Sequence, residues 1–393
     1  MVELCEIAVA ACLWMLLLPV SSFLHIAGFR RVAILSGRIG HLAIEPDCFL
    51  KKRALNELPS QRWFMVASRG RVANRHLVEY WRRHIKVITH PVAAWIVDTM
   101  SRWFVMRYDV SSYALRLNDS AEIFRVAAAW GDRKPLLELD EEDRRWGASR
   151  LRELGMPADS WFVVVHVREA GFSPGDEVAH AHRNGSIAAL IPTLQSIVAR
   201  GGWCVRLGDP TMTPLPQMAG VIDYAHHPLR SERMDVFLCA SARLFVGNTS
   251  GLAFVSSIFG VPSARANMVP TSELGLLPGD LSIPKLLWSE KLDRFLRFDE
   301  ILGSPVGNFR FAALYAGEGI RPTENSAQDI QALVEEMLDK LEGRRLETAA
   351  DRELQARFRS MLRPGHFSYG SPASVAGSFL RAHLELLPDR AIS

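Results

Sequence analysis

Cysteine is sparse in this chain of 393 residues, and the five present (Cys5, Cys12, Cys48, Cys204 and Cys239) stand far apart. No C-x-x-C pair and no histidine cluster at zinc spacing occurs, which argues against a disulfide framework and fits reduced thiols in a cytosolic setting. An excess of one charge is missing as well: 46 Lys and Arg face 43 Asp and Glu, for a formal net charge of +3. There is no basic tail and no arginine stripe interleaved with aromatics, so nothing calls for a nucleic-acid partner. The chain also lacks a Walker A lysine and serine, a complete G-x-G-x-x-G, internal repeats and low-complexity tracts. At 48% hydrophobic and 23% charged residues it is not a disordered chain, and its length suits two domains better than one core.

The start of the chain is where hydrophobicity concentrates. Residues 7–24, "IAVAACLWMLLLPVSSFL", carry no charge, a length that suits a thin bilayer or its surface. Glu3 and Glu6 precede the run where a secretory signal has positive residues, and Arg30, Arg31, Lys51, Lys52 and Arg53 follow it. By the positive-inside tendency the rest of the chain is expected on the cytoplasmic side, at the inner-membrane surface. The alternative is a buried first helix, and Pro19 disfavours a straight span. Residues 1–28 are therefore expected to form a hydrophobic, membrane-associating helix.

Beyond it, strands and helices alternate. An apolar strand, the turn "SGRIGH" and a helix open one α/β unit over residues 29–150, with further strands at "RWFMVAS" and "IKVIT". The charged helix ending at Gly155 and Pro157 marks a boundary. A second unit over residues 151–345 runs through "WFVVVHV", "GWCVRLG", "GVIDYA", "ARLFVGN" and "VPSARAN", and closes on a helix with Ser326 as its N-cap and Gly343 as its stop. Residues 346–393 read as a helical extension. The expected fold class is α/β: two Rossmann-like doubly wound domains facing a cleft, with ligands at the C-terminal ends of parallel strands.

The second unit repeats one device, an apolar strand followed at once by polar or small residues. His166 and Arg168 follow "VVV", Arg206, Gly208 and Asp209 follow "WCV", and "GNTSG" with Asn248, Thr249, Ser250 and Gly251 follows "RLFV". Arg168, Arg183 and Arg206 have the planar, permanently charged fork that suits phosphate. The "GNTSG" turn before an apolar helix offers backbone amides and hydroxyls at a helix N-terminus, an anion site that needs no charged side chain. Each has a plainer reading: an arginine paired with a nearby acid such as Glu169, a structural histidine, a common turn, and an aspartate that caps a turn. Their recurrence at strand ends within one unit favours a diphosphate site.

The ordered series "VVVHVREAGF", "HRN", "GGWCVRLGDP", "VIDYA", "ARLFVGNTSGLAFVSSIFGVP", "SIPKLL" and "PTENSAQDI" resembles a family of bacterial glycosyltransferases from surface-polysaccharide and lipid-linked glycan pathways. The resemblance spans about residues 30–390 and is densest over residues 160–340. It implies the two-Rossmann-domain, GT-B-like fold, a nucleotide sugar held by the C-terminal domain, no metal cofactor, and a glycan or lipid-linked acceptor. Position by position it implies donor contacts from Arg168 with His166 beside it, Arg183 and Asn184, Arg206, Gly208 and Asp209, Asn248 to Gly251, Lys285, and Glu324 with Asn325. The chain departs from the family in the stretch "EAGFSPGDEVAHAH", where Asp176 and Glu177 are the carboxylates left besides Glu169. For an inverting reaction the base candidates are His41, His166 and Asp176, in that order, while a retaining reaction needs no such base. A sugar-nucleotide epimerase of the same fold and a non-catalytic scaffold in a membrane glycan assembly complex are the alternatives.

Overall fold

The computed structural model describes residues 2–68, 72–100, 107–109, 121–171, 174–344 and 347–389. The chain divides into two compact units, Met1–Ser120 and Ala121–Ser393. Unit 1 comprises α1 (Val2–Ile26), β1 (Phe29–Ala33), α2 (Ile39–Ala54), β2 (Arg62–Val66), α3 (Arg75–Trp81), β3 (Lys86–Ile88), α4 (Pro91–Met100) and β4 (Arg107–Asp109). Its four strands form an all-parallel sheet in the order β3-β2-β1-β4. Phe64, Val66 and Ala94 are buried together, with Phe29, Ile88 and Val97 packed against them. Because β2 and β3 extend the sheet on one side of β1 and β4 on the other, the strand order reverses at β1. That reversal leaves a crevice beyond the strand's C-terminal end, and α2 begins there.

Unit 2 begins with α5 (Ala121–Trp130), which precedes the boundary expected near residue 150, and α6 (Glu141–Glu153), which runs across it. α6 packs on unit 2 itself, where Asp143 and Glu142 accept from Arg233 at 2.6 and 2.8 Å. There follow β5 (Phe162–His166), α7 (Pro174–His180), α8 (Ile191–Ala199), β6 (Trp203–Arg206), β7 (Val221–Ile222), α9 (Glu232–Ser241), β8 (Leu244–Gly247), α10 (Gly251–Ile258), β9 (Ser263–Met268) and β10 (Leu281–Pro284). Next come β11 (Leu286–Ser289), β12 (Arg294–Phe295), α11 (Phe298–Leu302), α12 (Ala312–Gly317), β13 (Ile320–Thr323), α13 (Ala327–Leu341), α14 (Ala349–Ser360), β14 (Ser374–Val375) and α15 (Gly377–Ala382).

Seven of the strands make a parallel sheet in the order β14-β10-β9-β8-β5-β6-β7. Read from β7 to β10, this is the doubly wound order in which the chain starts at the centre, works outward, then returns to the other side. Two parts of unit 2 depart from the expected alternation. β11, β12 and β13 form a separate antiparallel sheet, and the C-terminal extension, expected to be helical, contributes β14 to the edge of the main sheet.

The core explains the order. Every residue of β5 is buried, as a strand covered on both faces requires. α13 lays Ile330, Leu333, Val334, Met337 and Leu338 onto the sheet, and its start is held by a capping box in which Ser326 Oγ accepts from the Asp329 amide at 3.1 Å. A cap of this kind contributes about 1 kcal/mol. In the β5–β8 pair, Gly247 is in register with His166. A Cβ at position 247 would stand 2.2 Å from the His166 carbonyl oxygen, so glycine is what lets the two strands meet.

Candidate functional site

β5 and β8 are the neighbours between which unit 2 reverses its strand order, so the crevice lies beyond His166 and Gly247. The residues following these two strands are stitched together. Asn248 is the stitch: its Oδ1 accepts from the Arg168 amide at 2.9 Å, and its Nδ2 donates to the Arg183 carbonyl at 3.1 Å. Ser250 then caps α10 from an extended conformation, with no side-chain cap bond. Its Oγ is buried and has no hydrogen-bond partner, which leaves a hydroxyl and the first-turn amides of α10 as donors at the helix N-terminus.

Three cations gather on this scaffold. Arg183 Nη2 donates to the Thr249 carbonyl at 3.0 Å, beside the start of α10. Lys285 Nζ donates to the Asn184 carbonyl at 2.8 Å, and Arg168 Nη1 donates to Asn184 Oδ1 and, at 3.0 Å, to the His180 carbonyl. Asn184 is thus shared by Arg168 and Lys285. Opposite charge comes from Glu177, whose Oε1 lies 3.3 Å from Arg168 Nη2 and whose Oε2 accepts from Asn184 Nδ2 at 2.8 Å. Glu324 is exposed and accepts from the Ser186 amide at 3.0 Å. Burial lowers the Lys285 pKa, with Glu324 opposing it.

The histidines report the local field. His182 lies tilted against Tyr315, with ring centroids 5.3 Å apart, and both its ring nitrogens are buried without a hydrogen-bond partner. Burial first, then the positive charges of Arg183, His180, Lys285 and Arg168, lower its pKa to about 3. Burial and then Arg206 lower His166 to about 4. Both imidazoles are neutral in the folded chain at physiological pH.

Between pH 6.5 and about 4 the unfolded chain therefore binds protons that His166 refuses, so stability is fully present above 6.5 and falls with acidification. The loss from His166 alone should be roughly 3 kcal/mol by the bottom of that window. Urea unfolding at descending pH is expected to show this slope, and His166→Gln to flatten it. An unchanged slope in the variant would remove His166 as its source.

Other expected site residues have their own partners within unit 2. Arg206 is buried; its Nη1 donates to Asp223 at 3.0 Å, and its Nη2 reaches Glu169 at 3.4 Å and the Thr213 carbonyl at 3.0 Å. Its guanidinium anchors the 213–223 loop and faces two carboxylates, while its Nε is buried with no hydrogen-bond partner. Asp209 caps its own turn, accepting from the Thr211 amide and hydroxyl at 2.9 and 2.6 Å. Gly208 adopts φ +148, and a Cβ there would meet Met212 Sδ at 2.2 Å. Asn325 is buried and exchanges two hydrogen bonds with Asn267, at 2.6 and 2.7 Å, leaving Glu324 as the outward member of that pair. Thr249 is buried with its hydroxyl on Met268 Sδ at 3.5 Å, and Gly251 opens α10.

In unit 1, His41 sits in the first turn of α2, beyond β1. Its Nδ1 is 2.8 Å from Glu45 Oε1, and the Leu35 amide donates to Glu45 Oε2 at 2.8 Å. A nearly fully buried carboxylate thus fixes the ring through Nδ1, which leaves Nε2 as the acceptor. Glu45 was absent from the sequence-level candidates although its i,i+4 spacing from His41 on a helix was visible. The side chain of Asp176 lies outside the described residues. Among the described residues, no group of three or more His, Cys, Asp or Glu is placed to hold a metal ion.

No family model and no curated protein sequence matches the chain. Among solved structures, it is similar to a family 9 glycosyltransferase from Veillonella parvula at 13% identity, covering 80% of this chain and 98% of that one, with a TM-score of 0.48. Escherichia coli heptosyltransferase WaaC with ADP is similar at 12% identity, covering 80% of this chain and 99% of that one, with a TM-score of 0.41. The E. coli ADP-heptose lipopolysaccharide heptosyltransferase II shows 13% identity, 60% and 84% coverage, and a TM-score of 0.39.

Proposed function

We propose that the chain is a glycosyltransferase that moves a sugar from a nucleoside-diphosphate donor to a hydroxyl of a glycan or lipid-linked acceptor. The observation that carries this reading is the donor-rich N-terminus of α10 at the strand-order reversal of unit 2. There an unpartnered buried Ser250 hydroxyl lies close to the Arg183 anchor, on a scaffold shared with Arg168 and Lys285. A leaving diphosphate needs such a fixed cationic and dipolar site. In the inverting form, the acceptor oxygen forms a bond to the anomeric carbon as the bond from that carbon to the phosphate oxygen breaks. The electron pair departs with the diphosphate, and the acceptor proton passes to His41 Nε2.

His41 is preferred as base over His166, whose pKa of about 4 makes it a poor proton acceptor at neutral pH. Glu45 is a positioning residue that holds the imidazole tautomer. Donor binding draws on Arg168, Arg183, Asn184, Lys285, Ser250 and the α10 amides, with Glu324 available to a ribose hydroxyl.

A thermal-shift panel of nucleoside diphosphates and sugar nucleotides on the full chain tests this. Stabilisation by one base series, followed by sugar transfer from that donor to an added acceptor, is the expected result. Conversion of the donor sugar to an isomer without acceptor would replace the reading with an epimerase. A folded chain stabilised by no nucleotide, with or without acceptor glycans present, would overturn it in favour of a scaffold.

A further inference from the structure

α1 presents an uncovered apolar face. Cys12, Met15, Leu16, Pro19, Val20, Phe23 and Ile26 are exposed, Leu16 by 75%, Phe23 by 69% and Ile26 by 84%. At 3.6 residues per turn these positions fall within one arc of about 140°. On the opposite side Ser21 is fully buried and donates to the Met100 carbonyl of α4 at 3.0 Å. α4 packs along α1 and adds exposed Trp95 and Val92, and Arg30 donates to the His25 carbonyl at 2.7 Å at the helix's C-terminal end. A helix crossing a bilayer on its own would show apolar side chains all round. Among the described side chains of this helix, from Cys12 to Ile26, the exposed apolar ones fall on one side.

Charge identifies what covers that face. Residues 1–120 hold sixteen Lys and Arg against nine Asp and Glu, whereas residues 121–393 hold thirty against thirty-four. The cation excess belongs wholly to the unit that bears the apolar face. A second copy of unit 1 would bring like charge to like charge, while an anionic lipid surface offers counter-charge and an apolar interior together.

We propose that α1 lies in the plane of an anionic membrane, with the Met15, Leu16, Val20, Phe23 and Ile26 face in the acyl boundary and the net positive charge of unit 1 drawing it to the headgroups. This rests on no assumption about catalysis. It predicts an interfacial seat in place of a span, so that lipid contact and salt-sensitive attraction act together.

Co-sedimentation of the full chain with vesicles of equimolar phosphatidylethanolamine and phosphatidylglycerol tests it, beside pure phosphatidylcholine vesicles and the Leu16→Glu/Phe23→Glu variant. The expected result is binding to the anionic vesicles that weakens by at least about tenfold in the variant, and also at high salt or on the neutral vesicles. Equal binding by the variant, or equal binding to both lipids, would overturn the proposal. So would a concentration-dependent dimer that the variant breaks in a chain that ignores vesicles. Should the variant lose its unfolding transition, quenching of wild-type tryptophan fluorescence by brominated lipid decides. Quenching reduced by Trp95→Phe supports the in-plane seat, and absence of quenching sinks it.

Discussion

His41→Ala is expected to lower kcat for sugar transfer by about 10²- to 10⁴-fold, the usual contribution of a positioned base. Binding of the nucleoside diphosphate should stay within about twofold, because a base acts on the acceptor proton and not on the ground-state donor. The size of the effect follows from the preparation of the ring. The Glu45 carboxylate is nearly fully buried, tied to the Leu35 amide at 2.8 Å and to His41 Nδ1 at 2.8 Å. Glu45→Gln keeps the shape and removes the charge that steadies the imidazolium, so it should cost less than His41→Ala. Steady-state transfer assays with the three proteins measure both effects. An unaltered kcat in His41→Ala would leave a retaining mechanism or a base elsewhere in the chain.

The second large effect is a pair of opposite signs. Arg168→Met should weaken nucleoside diphosphate binding by about a hundredfold. It removes a charge-assisted donor worth about 1.5–3 kcal/mol and leaves the Glu177 carboxylate facing the incoming anion. Glu177→Gln should tighten the same binding by about three- to tenfold, since it frees Arg168 from its 3.3 Å partner while the amide can still meet Asn184. Isothermal titration with the nucleoside diphosphate found in the thermal-shift panel reads both. If both variants weaken binding alike, the Arg168–Glu177–Asn184 cluster only holds α7 in place and the diphosphate lies elsewhere.

Much of the fold was legible because parallel strands buried on both faces leave continuous apolar runs, such as "FVVV" in β5 and "LFVG" in β8, that differ sharply from the helices between them. The strand order was not legible, since it depends on which way each crossover turns. That order is what brings Asn248 to the Arg168 amide, eighty residues away in sequence. Arg206 shows the same limit. Its residue type and its place at a strand end resembled those of Arg168, but Asp223 and Glu169 come to it through tertiary folding. β11 to β13 escaped because they are short, mixed in polarity and interrupted by Pro322. His41 and Glu45 form the one site pairing that local spacing alone could have supplied.

β14 is two residues long, yet it occupies the outer edge of the seven-stranded sheet, with Ser374 and Val375 in register with Leu281 and Ser282 of β10. The last segment to leave the ribosome among the described elements of the sheet is therefore the one that shields an otherwise open row of backbone donors and acceptors. Until it arrives, nascent unit 2 carries a sticky border available to any neighbouring strand. A fragment ending at residue 345, just before the expected helical extension, would carry that border permanently. Self-association, more than loss of ligand binding, would then be its dominant behaviour.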